Sequence, residues 1–221
     1  MRHWTSVSLP ITEHMAVYKN LAEKRPTIET TRSFSRHGMH ESTLQLPLHT
    51  GTHVDYPLHA IPGGKSSSAY ERFPLEFFCH VVDLADHPPE SIGLEQVRDI
   101  NMDGLEAVFF KTLNEPLKVF DPLFPWLTSE AAASLAQYSL LFVGIDQPGI
   151  ERSQPGHETH VQLLSQDILI IEGLDLSRIK GGRHQFAAFT LGIRGVEAEP
   201  VILYTLPCRV MRNPRFATEK R

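Results

Sequence analysis

The order of apolar and polar residues along the chain predicts a sheet whose central strands are buried on both faces. Four short runs are almost continuously apolar, which is typical of such strands. The segment 27–36 instead alternates and is rich in threonine, as expected of a strand with one face in water, and 39–48 follows it as another strand. Weaker strands are predicted at 5–11, 186–193 and 200–206. The four apolar runs are 77–84, 107–112, 140–145 and 168–171.

Helical signals separate several of these predicted strands. The spacing of apolar residues within 91–100 predicts a short helix. Thr128 or Ser129 can cap a second helix that extends to about Tyr138. A third short helix is predicted between 157 and 164. Strands that alternate with helices favour an α/β fold.

Length and composition exclude several classes of protein. The 221 residues, 41% of them hydrophobic, suffice for one substantial core, so we predict a single domain over 1–221. A net charge of −5 offers no basic surface for nucleic acid. No apolar run approaches the roughly 18 residues of a membrane span, and the N-terminus lacks the apolar segment of a secretion signal. Cys79 and Cys208 fit reduced thiols. We therefore expect a cytoplasmic protein that binds neither nucleic acid nor membranes.

The strongest chemical signal is the segment 49–59, His-Thr-Gly-Thr-His-Val-Asp-Tyr-Pro-Leu-His. Four of its side chains are of the kind that bind metals, and every gap between them is even. Proline and glycine disfavour a helix here, and in an extended chain even spacing places side chains on one side. The four residues are His49, His53, Asp55 and His59.

A straight strand would not bring these side chains to one metal ion. At about 3.3 Å per residue the strand would spread them over roughly 33 Å, whereas metal–ligand bonds are about 2 Å long. The segment must therefore curl, and Gly51 and Pro57 are the residues that permit bending. Two imidazoles and a carboxylate on a bent loop match a catalytic metal site with open positions. The alternative is a chance cluster of histidines with structural roles.

The pattern His-x-Gly-Thr-His-x-Asp-x-Pro-x-His resembles the signature of the cyclase family of metal-dependent hydrolases, which includes bacterial kynurenine formamidases and isatin hydrolases. The resemblance implies an α/β domain with a β-barrel-like mixed sheet and flanking helices, similar to swivelling β/β/α domains. It also implies a homodimer or higher homo-oligomer and, by analogy with the formamidases, a role in tryptophan catabolism. The predicted strands and helices agree with α/β but do not by themselves give this topology.

A second part of the site is predicted at 157–172. Glu172 directly follows four apolar residues, a costly position for a carboxylate unless it is paired or bound to a cation. The segment resembles the family's distal metal element, in which a His-x-x-Leu-Leu helix precedes a strand that ends in Glu-x-Leu. This match implies His160 and Glu172 as metal ligands. His157, one helical turn earlier, is the alternative to His160.

The resemblance implies a site for two divalent ions, although one ion remains an alternative. His49, His53 and Asp55 would bind the first ion. Asp55 would also bind the second, together with His160 and Glu172. Bridging carboxylates suit ions about 3.5–4 Å apart. Imidazole and carboxylate ligands without thiolate favour Zn²⁺ or Mn²⁺, and analogy with the formamidases favours Zn²⁺.

The implied reaction is hydrolysis of the C–N bond of an N-formyl or cyclic amide by metal-activated water. The resemblance makes His59 the proton donor and acceptor, with a further ligand as the alternative. Tyr18 stands nearest the position of a tryptophan that contacts substrate in kynurenine formamidases. The family often has a serine where this chain has Gly149. Two other functions remain open: hydrolysis of another lactam or ester at the same site, and metal binding without turnover.

Overall fold

The computed structural model describes residues 4–70, 73 and 75–206. Cys208 lies outside these residues, whereas Cys79 is a free, buried thiol. The strands are β1 (Thr5–Ser6), β2 (Thr27–Arg32), β3 (Glu41–Gln45), β4 (His53–Asp55), β5 (Leu75–Asp83), β6 (Ser91–Ile92), β7 (Ala107–Lys111), β8 (Trp126–Leu127), β9 (Phe142–Ile145), β10 (Leu169–Glu172), β11 (Gly182–Thr190) and β12 (Ala198–Leu206). The α-helices are α1 (Phe34–His37), α2 (Leu94–Val97), α3 (Ser129–Leu135) and α4 (Glu158–Leu164).

Seven strands of the main sheet close into a barrel. Their order is β12-β11-β5-β7-β9-β10-β4, and β4 also pairs with β12, while β1 extends the sheet from β12. The pairs β5–β7, β7–β9 and β9–β10 are parallel, and the other pairs are antiparallel. The predicted α/β fold, with a β-barrel-like mixed sheet and flanking helices, is therefore confirmed.

Both faces of the central strands are buried, which explains their continuously apolar sequences. Phe109 of β7 faces the barrel interior, where its ring centroid lies 6.0 Å from that of Phe77 and 5.2 Å from that of Phe186. The adjacent Val108 and Phe110 belong instead to a second core, formed with α3 and α4 on the outside of the barrel. Alternate residues of one strand thus supply two cores.

The three predicted helices form but are shorter, whereas the strand predicted over 27–36 ends at Arg32 and is followed by α1. Thr128 caps α3, because its Oγ1 accepts a hydrogen bond from the Ala131 amide at 3.2 Å. The predicted helix over 91–100 is only Leu94–Val97, since Ser91–Ile92 pairs with β8 as a short strand. The strand predicted at 5–11 was too long: only Thr5–Ser6 is a strand, followed by an isolated bridge at Ser8. No helix among the described residues is long and apolar enough to cross a membrane.

Strand β4 connects the motif segment to the rest of the barrel. Asp55 lies opposite Ile170 of β10 and Ala198 of β12, so this three-residue strand closes the ring. Val54 points into the barrel, and therefore His53 and Asp55 point outward. The outward face of β4 lies beside α4, and this is where the predicted ligands meet.

Two glycines allow the motif segment to approach the end of β10. Gly51 and Gly173 both have φ of 67°, in the left-handed region that favours glycine. A Cβ on Gly173 would clash with the carbonyl oxygen of Gly51. The Thr52 hydroxyl donates a hydrogen bond of 2.6 Å to the Gly173 carbonyl. The predicted bend at Gly51 is therefore confirmed, and Gly173 makes a tight turn directly after β10.

Candidate metal centre

The five predicted metal ligands come from three places in the fold and meet on the outer face of the barrel. His53 lies directly opposite Glu172 in the β4–β10 pair, so these side chains share one face. Asp55 lies two residues further along the same face. His49 reaches the site from the turn before β4, and His160 from α4. The predicted curl of the motif is confirmed, because only 53–55 is extended and Pro57 begins a short 3₁₀ turn, Pro57–His59.

Nitrogen and oxygen atoms of these side chains converge closely. Asp55 Oδ1 lies 3.0 Å from His49 Nδ1 and 3.6 Å from His53 Nε2, and Asp55 Oδ2 lies 3.6 Å from His160 Nε2. The Glu172 oxygens lie 3.4 Å from His53 Nε2 and 3.4 Å from His160 Nε2. Both carboxylates therefore stand between imidazoles, as bridging ligands do.

The converging atoms are not satisfied by one another. His53 Nε2 and both oxygens of Asp55 are fully buried, yet no contact of theirs with a described residue has hydrogen-bond geometry. Buried polar atoms without partners are costly, and native proteins rarely retain them. These atoms point toward common positions between the side chains. The geometry and the donor types therefore fit a divalent cation bound among them.

Two histidine rings form hydrogen bonds on the side away from the cluster, and these bonds fix which ring nitrogen faces the cluster. His53 Nδ1 lies 3.0 Å from the carbonyl oxygen of Gly51, and His160 Nδ1 lies 2.8 Å from Glu151 Oε1. Both partners are acceptors, so each Nδ1 carries the proton and donates it. Each Nε2 is then left with a lone pair directed at the cluster. This is how proteins orient imidazole ligands.

The electrostatic balance of the cluster also favours a cation. Burial alone would raise the pKa of Asp55, but His160 and His49 hold it well below its usual range. Burial and Asp55 raise the pKa of Glu172, but His160 and His53 lower it to about 2. Burial lowers the pKa of His53, yet Asp55 and Glu172 raise it to about 9. The two carboxylates thus remain anionic and require positive charge, which either protons or a metal ion can supply.

Glu151 belongs to this site although nothing in the sequence singles it out. Its side chain is 2% exposed, and Oε1 accepts hydrogen bonds from the Nδ1 atoms of His160 and His157 at 2.8 and 3.0 Å. Its Oε2 accepts a hydrogen bond of 3.0 Å from the Thr159 amide. Glu151 therefore holds the start of α4 and the His160 ring in one orientation.

Replacing Glu151 with glutamine should weaken metal binding about 10–100-fold, the usual effect of losing a partner of a ligand. An amide has one acceptor oxygen, so either His160 or Thr159 loses its partner. Affinity can be measured by competition with a chromophoric chelator. Glu158→Gln is the matched control, because it removes the same charge from an exposed position on α4. An affinity of Glu151→Gln equal to that of Glu158→Gln would contradict this role.

The structure places His160, rather than His157, in the cluster. The His160 side chain is 8% exposed and its Nε2 faces Asp55 and Glu172. The His157 side chain is 63% exposed and contacts the cluster only through Glu151. The His-x-x-Leu-Leu register has a structural reason, since Leu163 and Leu164 are buried in the outer core and orient α4.

His160→Ala should therefore release metal, whereas His157→Ala should retain it. The His160 substitution removes a metal–nitrogen bond. The His157 substitution removes only an exposed imidazole, whose place solvent water can take. Metal content after dialysis, measured by plasma mass spectrometry, distinguishes the two. The reverse pattern would show that the distal ligand was assigned to the wrong histidine.

A pocket with a volume of ≈ 210 Å³ opens directly onto the cluster. His59 lies on its wall, exposed, with its ring centroid 4.3 Å from that of His49 and 5.3 Å from that of His160. The ring nitrogens of His59 make no hydrogen bond to a described residue. Partial desolvation by the pocket wall lowers the pKa of His59 even though its edge is exposed, and this favours the neutral imidazole. His59 is thus positioned beside the cluster, with a ring nitrogen available to a bound molecule.

Two other positions singled out in the sequence, Tyr18 and Gly149, both line the pocket. The Tyr18 hydroxyl lies 2.9 Å from Ser153 Oγ. Asp146, directly after β9, has a structural role instead, because it accepts hydrogen bonds of 2.8 Å from the amides of Thr112 and Leu113. A Cβ on Gly149 would lie 2.8 Å from the Glu151 carbonyl oxygen. A serine could not occupy that position without a shift of the backbone.

Several known proteins have a similar sequence, a similar fold, or both. A potential metal-dependent hydrolase with cyclase activity has a solved structure that is 33% identical, covers 95% of this chain and 100% of that one, and superimposes with a TM-score of 0.83. Kynurenine formamidase of Salinibacter ruber is 28% identical over 201 residues, 88% of this chain and 93% of that protein. Isatin hydrolase A of Labrenzia aggregata shares the fold, with a TM-score of 0.73 at 16% identity over 92% of this chain and 93% of that one. The Cyclase family model matches residues 5–152, more than half of the sequence. The chain therefore belongs to the cyclase family.

Proposed function

We propose that this protein is a metal-dependent hydrolase that cleaves the C–N bond of an N-formyl or cyclic amide. The observation that carries the proposal is the buried cluster of imidazoles and carboxylates, with unpaired atoms, at the base of a pocket. Similarity to a kynurenine formamidase over most of the chain supports an amide as the substrate. A small pocket supports a small molecule rather than a polymer.

The residues of the cluster divide into two overlapping ligand sets. His49, His53 and Asp55 would bind one divalent ion, and His160 and Glu172 would bind a second, with Asp55 shared between them. A divalent ion bound there would polarise a carbonyl and lower the pKa of a water to about 7. We propose Zn²⁺ first and Mn²⁺ second, because the donors are nitrogen and oxygen without sulfur.

His59 is the residue that would transfer protons during the reaction. Hydrolysis adds water across the C–N bond, and an amine leaves readily only after its nitrogen has accepted a proton. A neutral imidazole can accept a proton from the attacking water and deliver it to the leaving nitrogen. His59 has a free ring nitrogen beside the cluster, and Tyr18 forms part of the wall against which the substrate would pack.

The proposal is tested with protein loaded separately with Zn²⁺ and Mn²⁺ and assayed on three kinds of substrate. These are an aryl formamide, a five-membered aryl lactam and an aryl ester of similar size. We expect hydrolysis of the formamide or the lactam that a chelator abolishes and added metal restores. Hydrolysis of the ester alone would favour an esterase with the same site. Tight metal binding without turnover of any substrate would favour a metal-binding protein without catalysis.

A further inference from the structure

We propose that the Lys24 ammonium, supported by the charge of Arg152, binds a carboxylate group of the substrate. The site would then select amides that carry an anionic group away from the bond to be cleaved. This inference rests on the proposed hydrolase function and specifies its substrate class. It is carried by the charges of the pocket wall and by the segment that supplies Lys24.

Lys24 is held at the pocket by its backbone while its charge remains unpaired. Its carbonyl accepts a hydrogen bond of 3.1 Å from the Thr50 hydroxyl, and Thr50 is buried next to His49. Lys24 is partly exposed and lines the same pocket as His53 and His160. Within the described parts of the chain, no carboxylate or other acceptor pairs with Lys24 Nζ. Its ammonium, on a flexible stem that starts at the pocket wall, is therefore available to a ligand.

Arg152 adds a second positive charge whose hydrogen bonds do not neutralise it. Its Nε and Nη2 donate to the carbonyl oxygens of Phe124 and Leu123 at 2.8 and 2.5 Å, which are uncharged acceptors. The Glu90 carboxylate lies 3.8 Å from Nη1, and because its side chain is 87% exposed this surface ion pair is weak. Arg152 is therefore held rigidly on the pocket wall, and most of its positive charge remains uncompensated.

The carboxylates on the pocket wall do not compete for these cations. Glu151 accepts hydrogen bonds from two histidines and from a backbone amide. Glu172 accepts a hydrogen bond of 2.6 Å from the Ile150 amide and faces His53 and His160. The pocket wall thus combines the carboxylates of the proposed metal site with two cationic residues, Lys24 and Arg152. A substrate with a polar carbonyl at one end and a carboxylate at the other matches this arrangement.

The segment that carries Tyr18 and Lys24 to the pocket contains unusual backbone conformations. Lys19 and Asn20 are consecutive non-glycine residues with φ of 55° and 53°. Such conformations cost free energy and persist where the surrounding structure holds them, often at ligand clamps. The Tyr18 ring, packed edge-on against Phe120 at 5.3 Å, holds one end of the segment, and the Thr50 contact holds the other. The strained backbone therefore lies in the segment that supplies Tyr18 and Lys24 to the pocket wall.

The test compares formanilide with 4-formamidobenzoate, which has the same ring and formamide but adds a carboxylate at the far end of the ring. We expect the metal-loaded protein to have the lower KM for the anion. Lys24→Met should raise the ratio of the anion's KM to the neutral KM by about tenfold, because hydrogen bonds to charged groups are the strong ones. Lys24→Arg should restore most of the preference. Lys180→Met removes an equal charge from an exposed position that does not line the pocket, and it should leave the ratio unchanged.

The binding of benzoate and of benzamide, measured by calorimetry, separates this inference from the proposed function. If neither formamide is hydrolysed, the proposed function fails, yet weaker benzoate binding in Lys24→Met would still support the anion site. A benzoate affinity that is the same in Lys24→Met and the native protein would overturn it. Equal increases in KM for both formamides would also overturn it, because they would indicate a general effect on the pocket.

Discussion

Replacing Asp55 with alanine should strip the protein of most of its metal and, with it, of hydrolase activity. Both oxygens of Asp55 face imidazole nitrogens, of His49 and His53 on one side and His160 on the other. Losing even an outer partner of a ligand typically costs about 10–100-fold in affinity, so losing a shared ligand should cost more than about a hundredfold. Metal content and chelator competition measure the loss directly.

Because Asp55 also lies in the strand that closes the barrel, the alanine variant needs a control for folding. Asp55→Asn keeps the volume and one oxygen but removes the charge, and the circular dichroism spectrum of each variant reports on the fold. We expect both variants to fold and both to lose metal, the asparagine variant less completely. Full retention of metal by folded Asp55→Ala would exclude the shared-ligand role.

His59→Ala should behave in the opposite way and keep metal while losing turnover. General acid–base groups are typically worth about 10²–10⁴-fold in rate, and His59 is the imidazole beside the cluster with no hydrogen-bond partner among the described residues. The reduction should be largest for an unactivated amide. An activated ester should lose less, because its leaving group departs with little protonation.

Metal content and two substrates together decide the role of His59. Loss of metal in His59→Ala would make the residue a further ligand, which its position within 4.8 Å of ligand atoms of His49 and Asp55 allows geometrically. Equal rate losses on amide and ester would exclude proton delivery to the leaving group. Unchanged rates on both would exclude any part in the chemistry.

The sequence predicted those features that depend on neighbouring residues. The apolar runs identified the buried strands, Thr128 identified the start of α3, and Gly51 and Pro57 identified the bend in the motif. The choice of His160 over His157 also rested on a local signal, the two leucines that follow. These signals are local because backbone conformation and the face of an element depend on residues a few positions apart.

Features that arise from distant contacts were not predictable from the chain alone. The pairing of β4 with β12 joins segments far apart in the sequence, and strand patterns do not specify such partners. Glu151 lies in a polar loop, and its hydrogen bonds to two histidines exist only once α4 has docked. Lys24 is one lysine in a segment without clear periodicity, and only the folded chain places it on the wall of the pocket that contains the cluster.

The closure of the barrel by β4 also has a consequence for the order of folding. A strand of three residues gains little from its own hydrogen bonds, and its pairings with β10 and with β12 must first offset the entropy of closing very long loops. Contacts so distant in sequence form slowly, so we expect this closure to be a late event. A partly folded chain would therefore hold His53 and Asp55 apart from Glu172 and His160. The metal centre would then be a property of the completed barrel, and metal ions would bind after the chain has folded instead of guiding it.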